Sequence, residues 1–422
     1  MAEKVDIERI MRGSQAEVVK LGEISNQTLT PEEDKRILGK IDRWLLPVMA
    51  FSYLFQFLDK SALGFTAIMG LRTDLRLTGE GYSWSSGIYY FGYLVASYPA
   101  AMLMFARNST SADPLAASSG APSSCSRQTA FNAGSLLANR FFLGVTEASI
   151  APGLTIVVSM WYKRHEQPLR HAAWFLGNTC AGIFGGLVAY GIGHVQSITP
   201  WKAVFLTFGA ATVAWSVGIY FLLPDTPMEA RFLSKQDREK AVLRVKENMT
   251  GIKSDKIKWG QVKEALLDAK TWLIVALQLV SCIPNGAVTT FSNIVVQGFG
   301  FSTFDTLLLG CVAYLLQLVQ VLFATGGSSY FANSRTYFMA FNYAIGVTGA
   351  AMVRYTAPEN RWARFAGSVL AGGYGGNFPL LMSLMSGNVG GFTKKTTVNA
   401  MVCFCPLSGL PGLLGGYLGP CY

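Results

Sequence analysis

Apolar runs about as long as a bilayer is thick recur along the chain, separated by short polar connections. At 1.5 Å per helical residue, roughly 20 apolar residues cross a hydrocarbon core ~30 Å thick. Ten runs meet that length: 44–68, 82–105, 135–162, 172–193, 201–223, 271–296, 307–325, 337–353, 362–385 and 398–418. A chain in hydrocarbon must satisfy its backbone hydrogen bonds within each segment, so the pattern predicts an all-α membrane protein. Between the fifth and sixth runs, residues 224–270 are polar, with eleven Lys or Arg and eight Asp or Glu. They divide the spans into two helical halves. The expected organisation is a tail over 1–43, one membrane half over 44–223, a central loop over 224–270 and a second half over 271–422. Thr30 before Pro31-Glu32-Glu33-Asp34 predicts a capped helix start. This short amphipathic helix is expected to end at the membrane near Arg43, and a second is expected over 234–247.

Composition agrees with this class. The 422 residues are 51% hydrophobic and 14% charged, against roughly 25% charged in soluble domains. The formal charge of +10 raises nucleic acid as a partner, but the basic residues gather in the connections and not on one surface. That is the positive-inside distribution, which places the tail and the central loop in the cytosol and excludes nucleic-acid binding. Residues 1–40 contain no apolar signal core, so the first span is expected to target the chain. The seven cysteines follow neither a disulfide nor a metal spacing and read as small packing residues. His165, His171 and His194 fall at helix ends without an i+4 partner. No metal, cofactor or catalytic constellation is expected, hence no enzyme. The sequons at Asn26, Asn108 and Asn248 fall on the expected cytosolic side, which predicts no glycosylation.

One stretch, 138–166, organises the rest. Arg140 and Glu147 stand inside an apolar run, Pro152-Gly153 predicts a kink, and Lys163, Arg164 and His165 end it. An ionisable residue in hydrocarbon costs at least ~2.5–3.5 kcal/mol, so these two should face a bundle interior or a watery cavity. Seven residues apart, they point the same way. With Ile41-Asp42-Arg43, Phe57-Leu58-Asp59-Lys60, the block from Asn139 to Gly144, Glu147-Ala148, and the block from Met160 to Glu166, this stretch resembles the allantoate permease-like, anion:cation symporter family of the major facilitator superfamily. Gly387-Asn388-Val389-Gly390-Gly391, Thr393-Lys394-Lys395-Thr396 and Asn399-Ala400 strengthen the resemblance. It implies the major facilitator fold, twelve helices in two halves with both termini cytosolic, and a monomer in the plasma membrane. The implied activity is proton-coupled symport of a small organic anion such as allantoate, ureidosuccinate, nicotinate, pantothenate or biotin.

Two segments depart from that plan, leaving about ten recognisable transmembrane helices instead of twelve. Residues 107–129, where a third helix belongs, hold seven serines and two prolines. Only one span then separates Arg107 from Lys163, although both belong inside. After Met401 the chain reads CFCPLSGLPGLLGGYLGPCY. Both segments have the look of a shifted reading frame or a missed intron, and a non-functional remnant of such a transporter is the first alternative. A transporter-like nutrient sensor is the second.

Depth assigns the candidate site. Asp59 lies fifteen residues past Trp44, ~22 Å into the core, and on the family topology Arg140 lies at a similar depth. The two are expected to neutralise one another when the site is empty and to release Arg140 to a substrate carboxylate, which its planar fork binds well. Glu147, deeper on the same face, is the expected proton carrier, with Asp59 as a second. The competing readings are a structural Asp59-Lys60 pair near the outer interface and Glu147 as a structural partner of Arg140. In the second half the polar candidates are Gln278, Asn285, Tyr374 and Asn377, with Gln317 read as a bridge between helices. Pro284 beside Asn285, and the glycines beside Asn377, predict locally opened backbone. Gly144 with Ala148, and Ala181-Gly182 with Gly185-Gly186, predict close helix packing.

Overall fold

The computed structural model describes residues 29–403 apart from 78, 107–131, 164, 196–197, 225, 246–258, 332–333 and 391. The serine-rich segment, the three sequons and the run from residue 404 lie outside the described residues. Those described form helices and short connections, with no strand among them.

Helix α1, Pro31–Thr66, starts at Thr30, whose Oγ1 accepts from the Glu33 N–H while the Glu33 carboxylate accepts from the Thr30 N–H. Here the structure corrects the sequence reading. No separate amphipathic helix ends near Arg43, because Ile37, Ile41, Leu45 and Met49 form one buried i, i+4 stripe across that position. Pro47 is accommodated inside the helix. A π turn, Ala67–Leu71, ends α1 where Gly70 takes a φ of 101°.

Helix α2 spans Gly79–Ala106. The third run is split into α3, Ala133–Glu147, and α4, Ile150–Trp161. The break falls at Ala148-Ser149, not at Pro152-Gly153, because a proline frees the carbonyl four residues before it. Helices α5, Gln167–Gly193, and α6, Pro200–Leu222, complete the first half. The central segment holds α7, Lys235–Val245, capped by the Ser234 hydroxyl, and α8, Trp259–Leu267.

The second half contains α9, Ala269–Gly298, α10, Thr303–Tyr330, and α11, Arg335–Tyr355. The ninth run is again split, into α12, Arg361–Ala371, a 3-10 turn over Gly372–Gly376, and α13, Asn377–Asn388; α14 is Phe392–Cys403. The backbone is thus opened beside Asn377. Beside Asn285 it is not, since α9 continues through Pro284 as one helix. By length and composition, α5, α6 and α10 alone among the described residues are apolar enough to count as spans. The remaining long helices carry the polar side chains described below, which lowers their mean hydropathy.

The halves meet where α5 packs on α10 and α13, and α1 on α9. Small residues permit this. A Cβ on Gly182 would lie 2.3 Å from the Tyr314 ring, and one on Gly186 2.7 Å from Cys311 Sγ.

One end of the bundle is charged. Asp237 of α7 is buried and accepts from Lys40 Nζ at 2.6 Å and Arg36 Nη2 at 2.9 Å. The hydrogen bond from Lys40, helped by Ser234 and by the charges of Lys40 and Arg36, holds its carboxyl below the usual aspartate value despite burial. Arg244, whose side chain is fully buried, binds Asp34 at 2.8 Å and also Glu166. Lys163 reaches Asp34 at 3.0 Å and Arg170 reaches Asp42 at 2.7 Å. The pairs of Asp237 and Arg244 dock α7 on the first half, and those of Lys163 and Arg170 tie α1 to the turn after α4 and to α5. On the second half, Lys394 of α14 binds Glu264 at 2.9 Å and Asp268 at 2.8 Å, docking α8.

Candidate functional site

The crossing of α2 and α3 places the buried charges. A Cβ on Gly144 would lie 2.0 Å from the Tyr89 carbonyl oxygen, and one on Gly92 2.2 Å from that of Phe141. Only glycine at both positions allows the backbones to come this close. The contact sets Glu147 beside Tyr89, whose hydroxyl donates to Glu147 Oε2 at 2.7 Å. One turn earlier on α2, the Ser85 carbonyl accepts from Arg140 Nε at 3.4 Å. The Arg140 fork also reaches the carbonyls of Asp59, at 3.5 Å, and Lys60, at 3.4 Å, and it lies 5.6 Å from the centre of the Tyr89 ring. Asp59, Arg140 and Glu147 are each 2% exposed.

Between the halves lies a cavity of about 240 Å³. From the first half it is lined by Tyr53, Gln56, Lys60, Tyr89, Tyr90 and Asn178; from the second by Gln278, Asn285, Asn293, Gln317 and Tyr374, among others. Lys60 is the only charged side chain on the described wall. Its ammonium sits 5.0 Å from the centre of the Tyr90 ring and makes no ion pair among the described residues. Gln56 donates from Nε2 to the Glu147 carbonyl at 3.4 Å, while its Oε1, buried, accepts no hydrogen bond among the described residues. Asn178 Oδ1 is in the same condition.

Toward the charged end, Phe378 of α13 stacks on Phe175 of α5 with ring centres 5.0 Å apart and meets Trp174 edge-on. Away from that end, Tyr82 donates to the Thr290 carbonyl at 2.9 Å, Ser86 and Thr290 share a hydrogen bond of 2.7 Å, and His194 stacks on Phe304 at 4.4 Å.

The residues picked from the sequence fall into two groups. Gln278, Asn285 and Tyr374 line the cavity, and the Tyr374 hydroxyl donates to Asn285 Oδ1 at 3.5 Å. Asn377 lies behind the wall, accepting from Asn342 at 2.9 Å and donating to the Met339 carbonyl at 3.2 Å. The Arg140 fork meets the backbone carbonyl of Asp59, but Arg140 borders a side chamber of about 10 Å³ shared with Lys60, Ser86, Tyr89 and Tyr90. Lys60, Tyr89 and Tyr90 therefore form the wall between the guanidinium and the main cavity. Sequence reasoning weighed Lys60 only as a structural partner of Asp59, passed over Gln56 and Asn178, and treated Gln317 as a bridge although it lines the cavity. Lys60 had a signal: Tyr53, Gln56 or Phe57, Lys60 and Gly64 recur at helical spacing on a face that excludes Asp59.

The sequence profile of the Major Facilitator Superfamily matches residues 49–412. An uncharacterized transporter of Schizosaccharomyces pombe is 33% identical over 89% of this chain and 72% of its own. The allantoate permease of Saccharomyces cerevisiae is 32% identical over 91% of this chain and 74% of its own. The fold is shared with the proton:xylose symporter XylE, at a TM-score of 0.64 and 12% identity over 89% of both chains. A bacterial homolog of the human lysosomal transporter Spinster, in an inward-facing conformation, matches at 0.63 and 14% identity over 92% of this chain and 83% of its own. Two packed helical halves around a polar cavity, a superfamily profile over most of the chain and these relatives agree: the chain belongs to the major facilitator superfamily, as a membrane transporter, not an enzyme, among fungal transporters that include allantoate permease.

Proposed function

We propose that the chain carries a small organic anion together with protons, by alternating access of the cavity to the two membrane faces. The observation that carries this reading is Lys60, the one charged side chain among the described residues of the cavity wall. It makes no ion pair among those residues, so a substrate carboxylate is the natural counter-ion, and a charge-assisted hydrogen bond is worth ~1.5–3 kcal/mol. Gln278, Asn285 and Tyr374 would hold the rest of the molecule from the opposite half, with Asn377 supporting them from behind. Arg140 and Asp59 would set the charge balance one layer back, and Glu147, with Asp59, would carry the proton.

The buried acceptors on Gln56 and Asn178 favour a substrate that brings N–H donors. Of the expected anions, allantoate, ureidosuccinate, pantothenate and biotin do so and nicotinate does not. The allantoate permease among the relatives supports the same choice. The positive-inside distribution supports a cytosolic tail and central segment, and uptake of such a nutrient fits a monomer in the plasma membrane.

The test is uptake of radiolabelled allantoate, ureidosuccinate, pantothenate, biotin and nicotinate into cells lacking their own permeases, at two external pH values and with surface expression measured. The expected result is uptake of an N–H-bearing carboxylate that rises with external acidity. It should fall about tenfold or more in Lys60→Ala at unchanged expression. Uptake of a neutral solute in preference to every anion would overturn the proposal.

A further inference from the structure

We propose that Tyr89 is the coupling residue of this transporter: its single hydroxyl proton serves Glu147 when that carboxylate is ionised and the cavity anion when Glu147 is protonated. This rests on the proton-coupled anion transport proposed above. Glu147 is buried and does not line the cavity, whereas Tyr89 touches both the cavity and Glu147. Its ring borders the cavity and its hydroxyl donates to Glu147 Oε2 at 2.7 Å. Tyr89 also meets Tyr90 edge to face at 5.1 Å, and the Tyr90 ring carries the Lys60 ammonium. Tyr89 thus stands between the buried carboxylate and the place where an anion would rest.

A tyrosine hydroxyl has one proton to give and lone pairs with which to accept. With Glu147 ionised, that proton must point at the carboxylate, an acceptor-only group. A proton arriving on Glu147 reverses the bond: the carboxylic acid now donates to Tyr89 Oη, and the tyrosine proton turns toward the cavity and an anion on Lys60. The proton count is one, added at Glu147, while Tyr89 keeps its own throughout. Aligned bonds along such a chain polarise and strengthen one another. Anion binding and protonation then favour each other, and by linkage the effect is mutual.

The charged and titratable side chains around this unit among the described residues are Asp59 and Lys60 of α1, Tyr90 and Tyr93 of α2, and Arg140 of Glu147's own helix. Arg140 and Lys60 belong to both states of the switch. Only the Tyr89 proton changes partner.

The experiment uses the full chain in lipid nanodiscs and infrared difference spectroscopy. The carbonyl stretch of a protonated carboxyl that disappears in Glu147→Gln reports on Glu147. In the wild type, allantoate, ureidosuccinate or pantothenate should increase that band at fixed pH. Tyr89→Phe, which keeps the ring, should shift the band's frequency and displace its titration by about one pH unit, tenfold in proton affinity. It should also abolish the response of the band to the anion. A wild-type band that ignores every anion, or no band assignable to Glu147, overturns the proposed symport and the shared proton with it. A Tyr89→Phe band that responds to the anion as the wild type does overturns the role of Tyr89 alone.

Discussion

At the scale of single residues, the site depends on which side of a helix each polar group occupies. Asp59 and Lys60 are neighbours in sequence but about 100° apart around α1, so one is buried against the Arg140 region and the other stands on the cavity wall. The sequence marks both as unusual in a span. It does not mark which one faces the cavity, because that depends on the neighbours between which α1 is packed. Arg140 and Glu147 were legible, since a charge inside an apolar run has few places to go and seven residues fix a common face. Their partners were not: the carbonyls of Ser85, Asp59 and Lys60 carry no sequence signal.

Glycine at 144 gives the sharpest prediction at this scale. Gly144→Ala puts a methyl 2.0 Å from the Tyr89 carbonyl oxygen, so α2 and α3 must separate. Overpacking of this kind costs ~1–3 kcal/mol, and the expected outcome is a lower yield of monodisperse protein by size-exclusion chromatography. Gly39→Ala, a helical position with nothing within 4 Å of the added carbon, is the control. It should keep or slightly raise stability, by up to ~1 kcal/mol.

At the scale of elements, the two short helices of the central segment are docked by different chemistry. Helix α7 is held through Arg244, whose charge is buried between Asp34 and Glu166. Arg244→Met leaves Asp34 with Lys163 alone and takes the guanidinium from the buried Glu166, and breaking a buried pair costs ~3–5 kcal/mol. A clearly lower thermal unfolding midpoint and faster hydrogen exchange over 235–245 are expected. Helix α8 is held by the more accessible Glu264 and Asp268 through Lys394. Lys394→Ala should therefore loosen 259–267 in exchange measurements while moving the global midpoint little, as exposed pairs contribute at most ~1 kcal/mol.

The pH dependence of this docking has a definite sign. The Asp237 carboxyl is held below its ordinary value, chiefly by the hydrogen bond from Lys40. Its contribution is then fully present above the unfolded-state value and is lost only as pH falls through the folded one. Thermal stability should be insensitive to this group between about pH 7 and pH 5 and should decline below about pH 4. Asp237→Asn should lack that acid decline, with a lower midpoint at neutral pH.

Element boundaries were less legible than element existence. The capping box at Thr30 and the helix over 235–245 follow from the sequence. The continuity of α1 past Arg43 was misread, because a charged residue followed by an apolar run looks like a boundary when the buried stripe beneath it is not traced. At Pro284 the helix survives, since a proline removes one hydrogen bond without requiring a break when the neighbouring turns stay packed.

At the scale of the whole molecule, the cavity is bounded by two contacts between the halves. Alternating access requires that they open one at a time. Cysteines at Ser86 and Thr290, whose hydroxyls are 2.7 Å apart, should form a disulfide that holds the end away from the charged cluster shut. Oxidation is expected to stop uptake and reduction to restore it; full uptake by a cross-linked protein would mean that this contact does not separate in the transport cycle.

Helix α1 connects these scales. It carries Arg36 and Lys40, tied to α7, near its start and Lys60 on the cavity wall, with one helix between them. From Arg36 to Lys60 is 24 residues, ~36 Å along the axis. At that length the helix is a lever arm: a tilt of ~5° about its docked end sweeps the far end through ~3 Å, the whole length of a hydrogen bond. On the proposed anion transport, a small rotation of the charged cluster would thereby be magnified into the difference between an ammonium that grips a carboxylate and one that has let it go.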